Sequence, residues 1–328
     1  MRQAMAEAKV DDDVLGHDPT MAELERRTAQ LLGKEAGLFV VSGCMSNLTA
    51  MMLHLRRGDL FLAPRFAHVL TYELGTVSWL AGGVVQELAW GQTPGVPSIE
   101  DVAAMAQSHN RAHRYYELTP RLLVLENTHN HAGGVLIPQA QFHALVDQAH
   151  GVGWRVHLDG ARLWHAAAAQ GISLAEAAGA ADTVSVCFSK GMGAPVGSVL
   201  CSTQENIDQA RRIRKMLGGG MRQGGVLAAA ALVALDQELP RIDQDRQRAV
   251  RLAAGLRQLG FAAPEPSTNI LMVGPGQTAA QGAPELAAAW AAAGVGCVTM
   301  GERVRLVTHR DLTDQAIEDA LDRIGSTL

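Results

Sequence analysis

A lysine interrupts two strand-like apolar runs in VCFSKGMGAPVGSVL (186–200), where Lys190 stands among three glycines and a proline, the composition of a tight turn. A primary amine is a nucleophile once desolvated or set beside other cations; as a lone loop charge it is merely solvated. At the end of another apolar run, HLDGARLWH (157–165) sets Asp159 and Arg162 three residues apart, a spacing that equally suits a local ion pair. LENTHN (125–130) gathers Glu126, Asn127, Thr128, His129 and Asn130 after an apolar strand, as a plain loop could also do. VVSGCMSN (40–47) places Gly43 and Cys44 where a helix begins. Free backbone N–H groups and the helix dipole there suit a phosphate, although ordinary N-capping reads the same way.

These residues need a scaffold that brings strand ends together. Short apolar strands are expected at 37–41, 60–63, 84–90, 121–126, 154–159, 183–188 and 197–201. Helical segments alternate with them. PTMAELERRTAQLLG (19–33) opens on a Thr20/Glu23 capping box and stops at Gly33, a helix is expected across 68–83, and Ser98/Asp101 opens another at 98–109. Such alternation implies a mostly parallel sheet covered on both faces, whose ligands lie beyond the carboxyl ends of the strands. Past residue 240 the pattern changes to a smaller α/β unit, with helices near 241–259, 284–293 and 313–325 and strands at 269–273 and 303–308. The expected division is a large domain over 1–239, its first 34 residues a helical link to the small domain, and a small domain over 240–328.

Composition excludes several classes. The chain has 328 residues, 48% hydrophobic and 19% charged, with a formal charge of −5, so nothing in its charge favours nucleic acid. Its apolar stretches fall short of a bilayer span and no signal peptide is visible, which places it in the cytoplasm. Cys44, Cys187, Cys201 and Cys297 form no CxxC pair, so neither a disulfide scaffold nor a metal site is expected from their spacing.

Taken together, DDDVLGHDPTMAELE, GKEAGLFVVSGCMSNL, LENTHN, HLDGARL, SKGMGAPVGS, KMLGGGMRQ and RLVTH resemble the low-specificity L-threonine aldolase family. That family belongs to the fold type I pyridoxal 5'-phosphate enzymes, and the resemblance runs the length of the chain. It implies a large domain with a mostly parallel seven-stranded sheet plus a smaller C-terminal α/β domain. It makes Lys190 the amine that joins the cofactor aldehyde, Asp159 the carboxylate facing the pyridine nitrogen, and His68 the ring stacked on the cofactor. Gly43, Cys44 and Ser189 would hold the phosphate, with Cys44 standing where the family usually has threonine. Arg162 and Arg305 would clamp the substrate carboxylate, because a guanidinium fork matches two oxygens. Lys215 and Arg222 match residues that reach an active site across a dimer interface, implying a homodimer or homotetramer.

The implied reaction is retro-aldol cleavage of L-threonine, L-allo-threonine and related 3-hydroxy amino acids to glycine and an aldehyde. His68, His129 or a water would take the β-hydroxyl proton. Glu73 also matches a family position, and His309 reads as structural. Family members often carry a histidine near 116, where this chain has HRYYELTPR, with tyrosines at 115 and 116 and His113 nearby. The family usually begins some residues earlier, with a segment carrying a serine for the substrate carboxylate; a shortened start would lose a bond worth about 1.5–3 kcal/mol. The competing expectations are another lyase or an aminotransferase with the same cofactor, and a cofactor-binding protein impaired in catalysis.

Overall fold

The computed structural model describes residues 1–109, 116–276 and 282–328. Seven strands form the main sheet: β1 (Ala36–Val40), β2 (Leu60–Pro64), β3 (Val84–Leu88), β4 (Pro120–Glu126), β5 (Arg155–Gly160), β6 (Thr183–Cys187) and β7 (Ser198–Ser202). Their spatial order is β1-β7-β6-β5-β4-β2-β3. The pairs β2–β3, β2–β4, β4–β5 and β5–β6 are parallel, while β7 runs antiparallel to both β6 and β1. Six strands therefore share one direction.

Burial on both faces explains the unbroken apolar runs. In β4, Leu123 and Leu125 enter the apolar cluster containing Phe142, Leu158 and Trp164, whereas Leu122 and Val124 join Met51 and Phe61 on the opposite side. Successive side chains point to opposite faces, so a strand covered twice must be apolar throughout. Trp164 also fixes the chain after β5: its ring lies 5.4 Å from Phe188 and its indole N–H donates to the Cys187 carbonyl at 2.9 Å. Trp164→Ala would cost about 3–5 kcal/mol by emptying that space, and would loosen the turn that carries Arg162.

A second sheet of order β8-β10-β9 is antiparallel throughout, with β8 (Ile270–Val273), β9 (Val298–Met300) and β10 (Arg303–Val307). It has its own apolar cluster around Leu256, Phe261, Leu271, Trp290 and Ile317. Strand β9 was not expected from sequence, because Val298 and Thr299 are exposed and carry no burial pattern. The N-terminal helices Arg2–Ala6 and Pro19–Leu31 both pack on the helix Gly225–Gln237. No described helix is long and apolar enough to cross a membrane.

Two local expectations are corrected. The cap of Pro19–Leu31 is Asp18, whose carboxylate accepts from the Thr20, Met21 and Gly225 N–H groups, while the Thr20 hydroxyl turns to the Lys9 carbonyl and Glu23 pairs with Arg26. A charged acceptor with a proline at the first turn outcompetes the neutral capping box. The helix expected over 68–83 is split into His68–Thr71 and a single wide turn, Val77–Ala81. Between them Leu74 (φ 55°) and Gly75 (φ 68°) take left-handed backbone, and Glu73 turns its carboxylate inward.

Candidate active site

Because β1, β2, β4, β5 and β6 point the same way, the segments that follow them emerge at one edge of the sheet. Gly43 and Cys44 follow β1, His68 follows β2, Glu126–Asn130 close β4, Asp159 and Arg162 close β5, and Lys190 lies three residues past β6. Topology alone thus collects most of the candidate residues.

Asn47 is the hub of the buried part. Its side-chain amide donates to Glu73 Oε1 at 2.8 Å and to Asp159 Oδ2 at 2.9 Å, and its oxygen meets His157 Nε2 at 3.1 Å. Beyond it, His157 Nδ1 lies 2.9 Å from the Thr183 hydroxyl, which lies 3.0 Å from His54 Nε2. Burial holds both imidazoles neutral, with pKa values pushed down to about 4. The chain therefore has one polarity: His54 N–H to Thr183, Thr183 O–H to His157, His157 N–H to Asn47, and Asn47 to the two carboxylates. Asp159 is fixed further by the Ala161 N–H at 3.1 Å.

His68 Nδ1 binds Glu73 Oε1 at 2.8 Å, and this bond raises the imidazole pKa. Burial raises that of Glu73, so the pair holds on to a proton. The His68 backbone N–H donates to Glu126 Oε2, and the Asn130 N–H to Oε1, each at 2.8 Å. Even so, burial and then the Asp159 charge push Glu126 up to about 7. His129, fully buried, accepts the Ala132 N–H at Nδ1 (3.2 Å), which puts its ring proton on Nε2. That Nε2 has no hydrogen-bond partner among the described residues, Glu126 being 4.0 Å away. Burial lowers its pKa to about 4.

Cys44, a His68 ring nitrogen and a Glu73 carboxylate oxygen lie within 4.8 Å of one another. Burial and then the Glu73 charge raise the thiol's pKa, and Lys190 pulls it back, so the lysine is within electrostatic reach of this corner, as is Asp159. Lys190 itself is exposed, and Ser189 beside it lies 3.4 Å from Cys187 Sγ. Gly191 is required next to Lys190, since a Cβ there would come within 2.1 Å of the His165 ring. Asn130 Oδ1 accepts from Arg162 Nη1 (3.3 Å) and Arg305 Nη2 (3.0 Å). Neither guanidinium has a carboxylate partner among the described residues. Burial and the neighbouring Arg305 bring Arg162 down to about 10, and burial lowers Arg305. Two cations converging on one neutral oxygen make a site for an anion.

The residues fit pyridoxal phosphate. The Gly43 and Cys44 N–H groups have no acceptor among the described residues, because Ser42 caps the helix through the Met45 N–H. The buried Ser198 hydroxyl, orphaned, sits 3.7 Å from where a Gly43 Cβ would stand. A phosphate would satisfy all three donors. Lys215 and Arg222 do not join this group: both are exposed, Lys215 beside a cleft lined by Asp13, Arg211 and Met216, and Arg222 paired with Asp12. His113 and Tyr115 lie outside the described residues. Sequence reasoning missed Asn47, His157 and the part played by Glu126. Only Glu126 left a signal, standing at the carboxyl end of β4 in register with Asp159.

Comparison with known proteins gives the family and the fold. The profile of the beta-eliminating lyase family matches residues 1–276. The chain is 44% identical over 260 residues to low-specificity L-threonine aldolase 1 of Arabidopsis thaliana, covering 79% of this chain and 72% of that protein. It is 34% identical over 319 residues to the low specificity L-threonine aldolase of Escherichia coli K12, covering 97% and 92%. The Leishmania major threonine aldolase structure superposes with a TM-score of 0.79 at 21% identity, covering 94% of this chain and 90% of that one, and shows the shared fold. The chain is a fold type I α/β protein of the beta-eliminating lyase family, and within it belongs to the low-specificity L-threonine aldolases.

Proposed function

We propose that this protein is a pyridoxal-phosphate-dependent carbon–carbon lyase that cleaves L-threonine, L-allo-threonine and related L-3-hydroxy amino acids to glycine and an aldehyde. The observation that carries the reading is the convergence of Arg162 and Arg305 on the one Asn130 oxygen, without a carboxylate partner among the described residues, at the sheet edge where Asp159, His68 and Lys190 also emerge. The arginines would take an amino acid's carboxylate and the other three residues the cofactor.

When bound, the cofactor supplies an electron sink for the pair released at Cα as the Cα–Cβ bond breaks. Lys190 would hold the cofactor through its side-chain amine, the nucleophile that matches an aldehyde carbon. Asp159, fixed by Asn47 and Ala161, would keep a proton on the pyridine nitrogen. His68 would cover the ring, and Gly43, Cys44, Ser189 and Ser198 would offer donors to the phosphate. Arg162 and Arg305 exchange the Asn130 oxygen for the substrate carboxylate, which orients the β-carbon.

Two histidines are then set for different tasks. With Nδ1 occupied by the Ala132 N–H, His129 presents a donor at Nε2, which suits holding the β-hydroxyl oxygen rather than taking its proton. His68, bonded to Glu73 through Nδ1, keeps the lone pair of Nε2 when neutral and is the better acceptor of the hydroxyl proton. A water held between them could relay it. Lys215 and Arg222 serve a neighbouring copy's site in a homodimer or homotetramer, the location is cytoplasmic, and residues 1–239 and 240–328 form the large and small domains.

The test is an aldehyde and glycine assay on both threonine diastereomers with the purified holoprotein, beside Lys190→Ala. The expected result is glycine plus acetaldehyde from the wild type and at least a thousandfold loss in the variant. An α-keto acid product instead would move the protein to β-elimination or transamination. Unimpaired turnover by Lys190→Ala would remove the lysine from its role.

A further inference from the structure

The corner formed by Cys44, His68 and Glu73 holds more ligating power than a phosphate and an aromatic ring require. A thiol sulfur, an imidazole nitrogen and a carboxylate oxygen meet within 4.8 Å from three separate pieces of chain: the start of the helix Gly43–His54, the start of His68–Thr71 and the bend at Glu73. Three such protein ligands with a fourth position open to solvent form the donor set of a zinc site, in which thiolate and imidazole select a soft or borderline cation over magnesium or calcium.

The second observation is Glu73 itself. It is 3% exposed, and its Oε2 has no hydrogen-bond partner among the described residues, while Oε1 is taken by Asn47 and His68. A buried carboxylate oxygen left unpaired is costly unless something cationic reaches it. The surroundings add to that demand. Asp159 shares the Asn47 amide with Glu73, Glu126 is bonded to the His68 backbone, and Lys190 is the cation whose charge reaches the thiol. Cys44 is also the exposed cysteine of the four.

We propose that the cofactor-free protein binds a thiophilic divalent cation of the zinc class through Cys44 Sγ, His68 and Glu73, and that this cation and the cofactor exclude one another. Binding releases the thiol proton and the proton held between His68 and Glu73, and no electron changes hands. The exclusion rests on the reading of this edge as the cofactor site, since Cys44 would otherwise serve the phosphate and His68 the ring.

The experiment uses full-length protein stripped of cofactor and dialysed to equilibrium against Zn²⁺ buffered by a weak chelator. Wild type should retain one equivalent per chain, and Cys44→Thr, which puts a hard hydroxyl on a β-branched side chain of similar volume in place of the thiol, should bind at least tenfold more weakly. Co²⁺ in place of Zn²⁺ should give a thiolate charge-transfer band in wild type alone. Uptake of pyridoxal phosphate, followed by its absorbance, should slow in zinc-loaded wild type, recover on chelation, and be indifferent to zinc in Cys44→Thr. Equal metal retention by Cys44→Thr with a folded circular-dichroism spectrum overturns the site. Uptake of pyridoxal phosphate at the unloaded rate by zinc-loaded wild type overturns the exclusion. A protein that holds zinc at Cys44 yet takes up no cofactor in any state also overturns the exclusion, together with the assigned function, and leaves the metal site standing.

Discussion

Replacing Asn47 by leucine, of similar size, tests whether one buried amide organises the site. The wild-type amide makes two bonds to carboxylates, at 2.8 and 2.9 Å, and accepts a third from His157 at 3.1 Å. Hydrogen bonds to charged groups contribute about 1.5–3 kcal/mol each, and the His157 N–H left unpaired costs about 1–3 kcal/mol. Burying the leucine returns about 1.5–3 kcal/mol. The expected net loss is therefore about 2.5–6 kcal/mol in urea unfolding of the cofactor-free protein. Asp159 would keep the Ala161 N–H as its side-chain partner, so a freer carboxylate should weaken cofactor binding by about tenfold, the equivalent of about 1.4 kcal/mol. Asn47→Asp is the companion variant: it still accepts from His157 but sets a third acid beside Glu73 and Asp159, so it should lose cofactor at least as severely despite its closer shape. Equilibrium dialysis with pyridoxal phosphate and the urea midpoint read the two effects separately. A stability loss below about 1 kcal/mol in Asn47→Leu, with unchanged cofactor affinity, would refute the idea that this amide holds the carboxylates.

Arg305→Leu should raise KM for L-threonine by about tenfold to a hundredfold with a smaller change in kcat, as expected when about 1.5–3 kcal/mol of charged hydrogen bonding to the substrate is removed; an unchanged KM in steady-state kinetics would take the carboxylate away from this arginine. Acid should destabilise the cofactor-free fold in a defined window. His54, His129 and His157 have pKa values lowered from 6.5 to about 4, so each stays neutral in the fold while the unfolded chain binds its proton. Their contribution, up to about 3 kcal/mol each, is full above pH 6.5 and is lost as pH falls towards 4. Glu126, raised from 4.5 to about 7, acts in the opposite sense, because its cost appears as pH rises across that range. From these four groups, unfolding between pH 4.5 and 6.5 takes up about three protons on the imidazoles and releases about one from Glu126; the raised Glu25, Glu73 and His68 oppose that uptake and the lowered His131 and His165 add to it. Urea midpoints at several pH values would show this slope, and a flat profile would contradict the burial of the imidazoles.

The fold was legible because its determinants are local. Seven apolar runs with helices between them dictate a sheet buried on both faces, and a parallel sheet places its ligands at the carboxyl ends. Lys190, Asp159, His68 and Arg162 are each attached to such an end, so their rough placement needed no tertiary knowledge. Asn47 was not legible, for a physical reason. It sits on an apolar helix among Ser46, Leu48 and Thr49, and nothing in its neighbourhood distinguishes an amide that caps, packs or binds. Its partners Glu73, Asp159 and His157 come from three other segments, and only the crossing of the helix Gly43–His54 over β5 and β6 brings them together. The break at Leu74–Gly75 left one local signal, a glycine in the interior of the expected helix, and its cost of about 1 kcal/mol relative to alanine is too small to end a helix by itself.

The break exists because the inward turn at Glu73 supplies the acid that both His68 and Asn47 require. A continuous helix would carry residue 73 about five positions, or roughly 500°, round from residue 68 at about 100° per residue, a placement in which one carboxylate oxygen could not meet both the His68 ring and an amide from another helix. Local propensity therefore gave way where several polar groups had to converge, and the left-handed backbone at Leu74 marks the spot. Strain of this kind persists only where surrounding contacts over-determine it. Here the contacts that do so are the bonds of the site itself, from Asn47 and His68 to a carboxylate that is buried on every side.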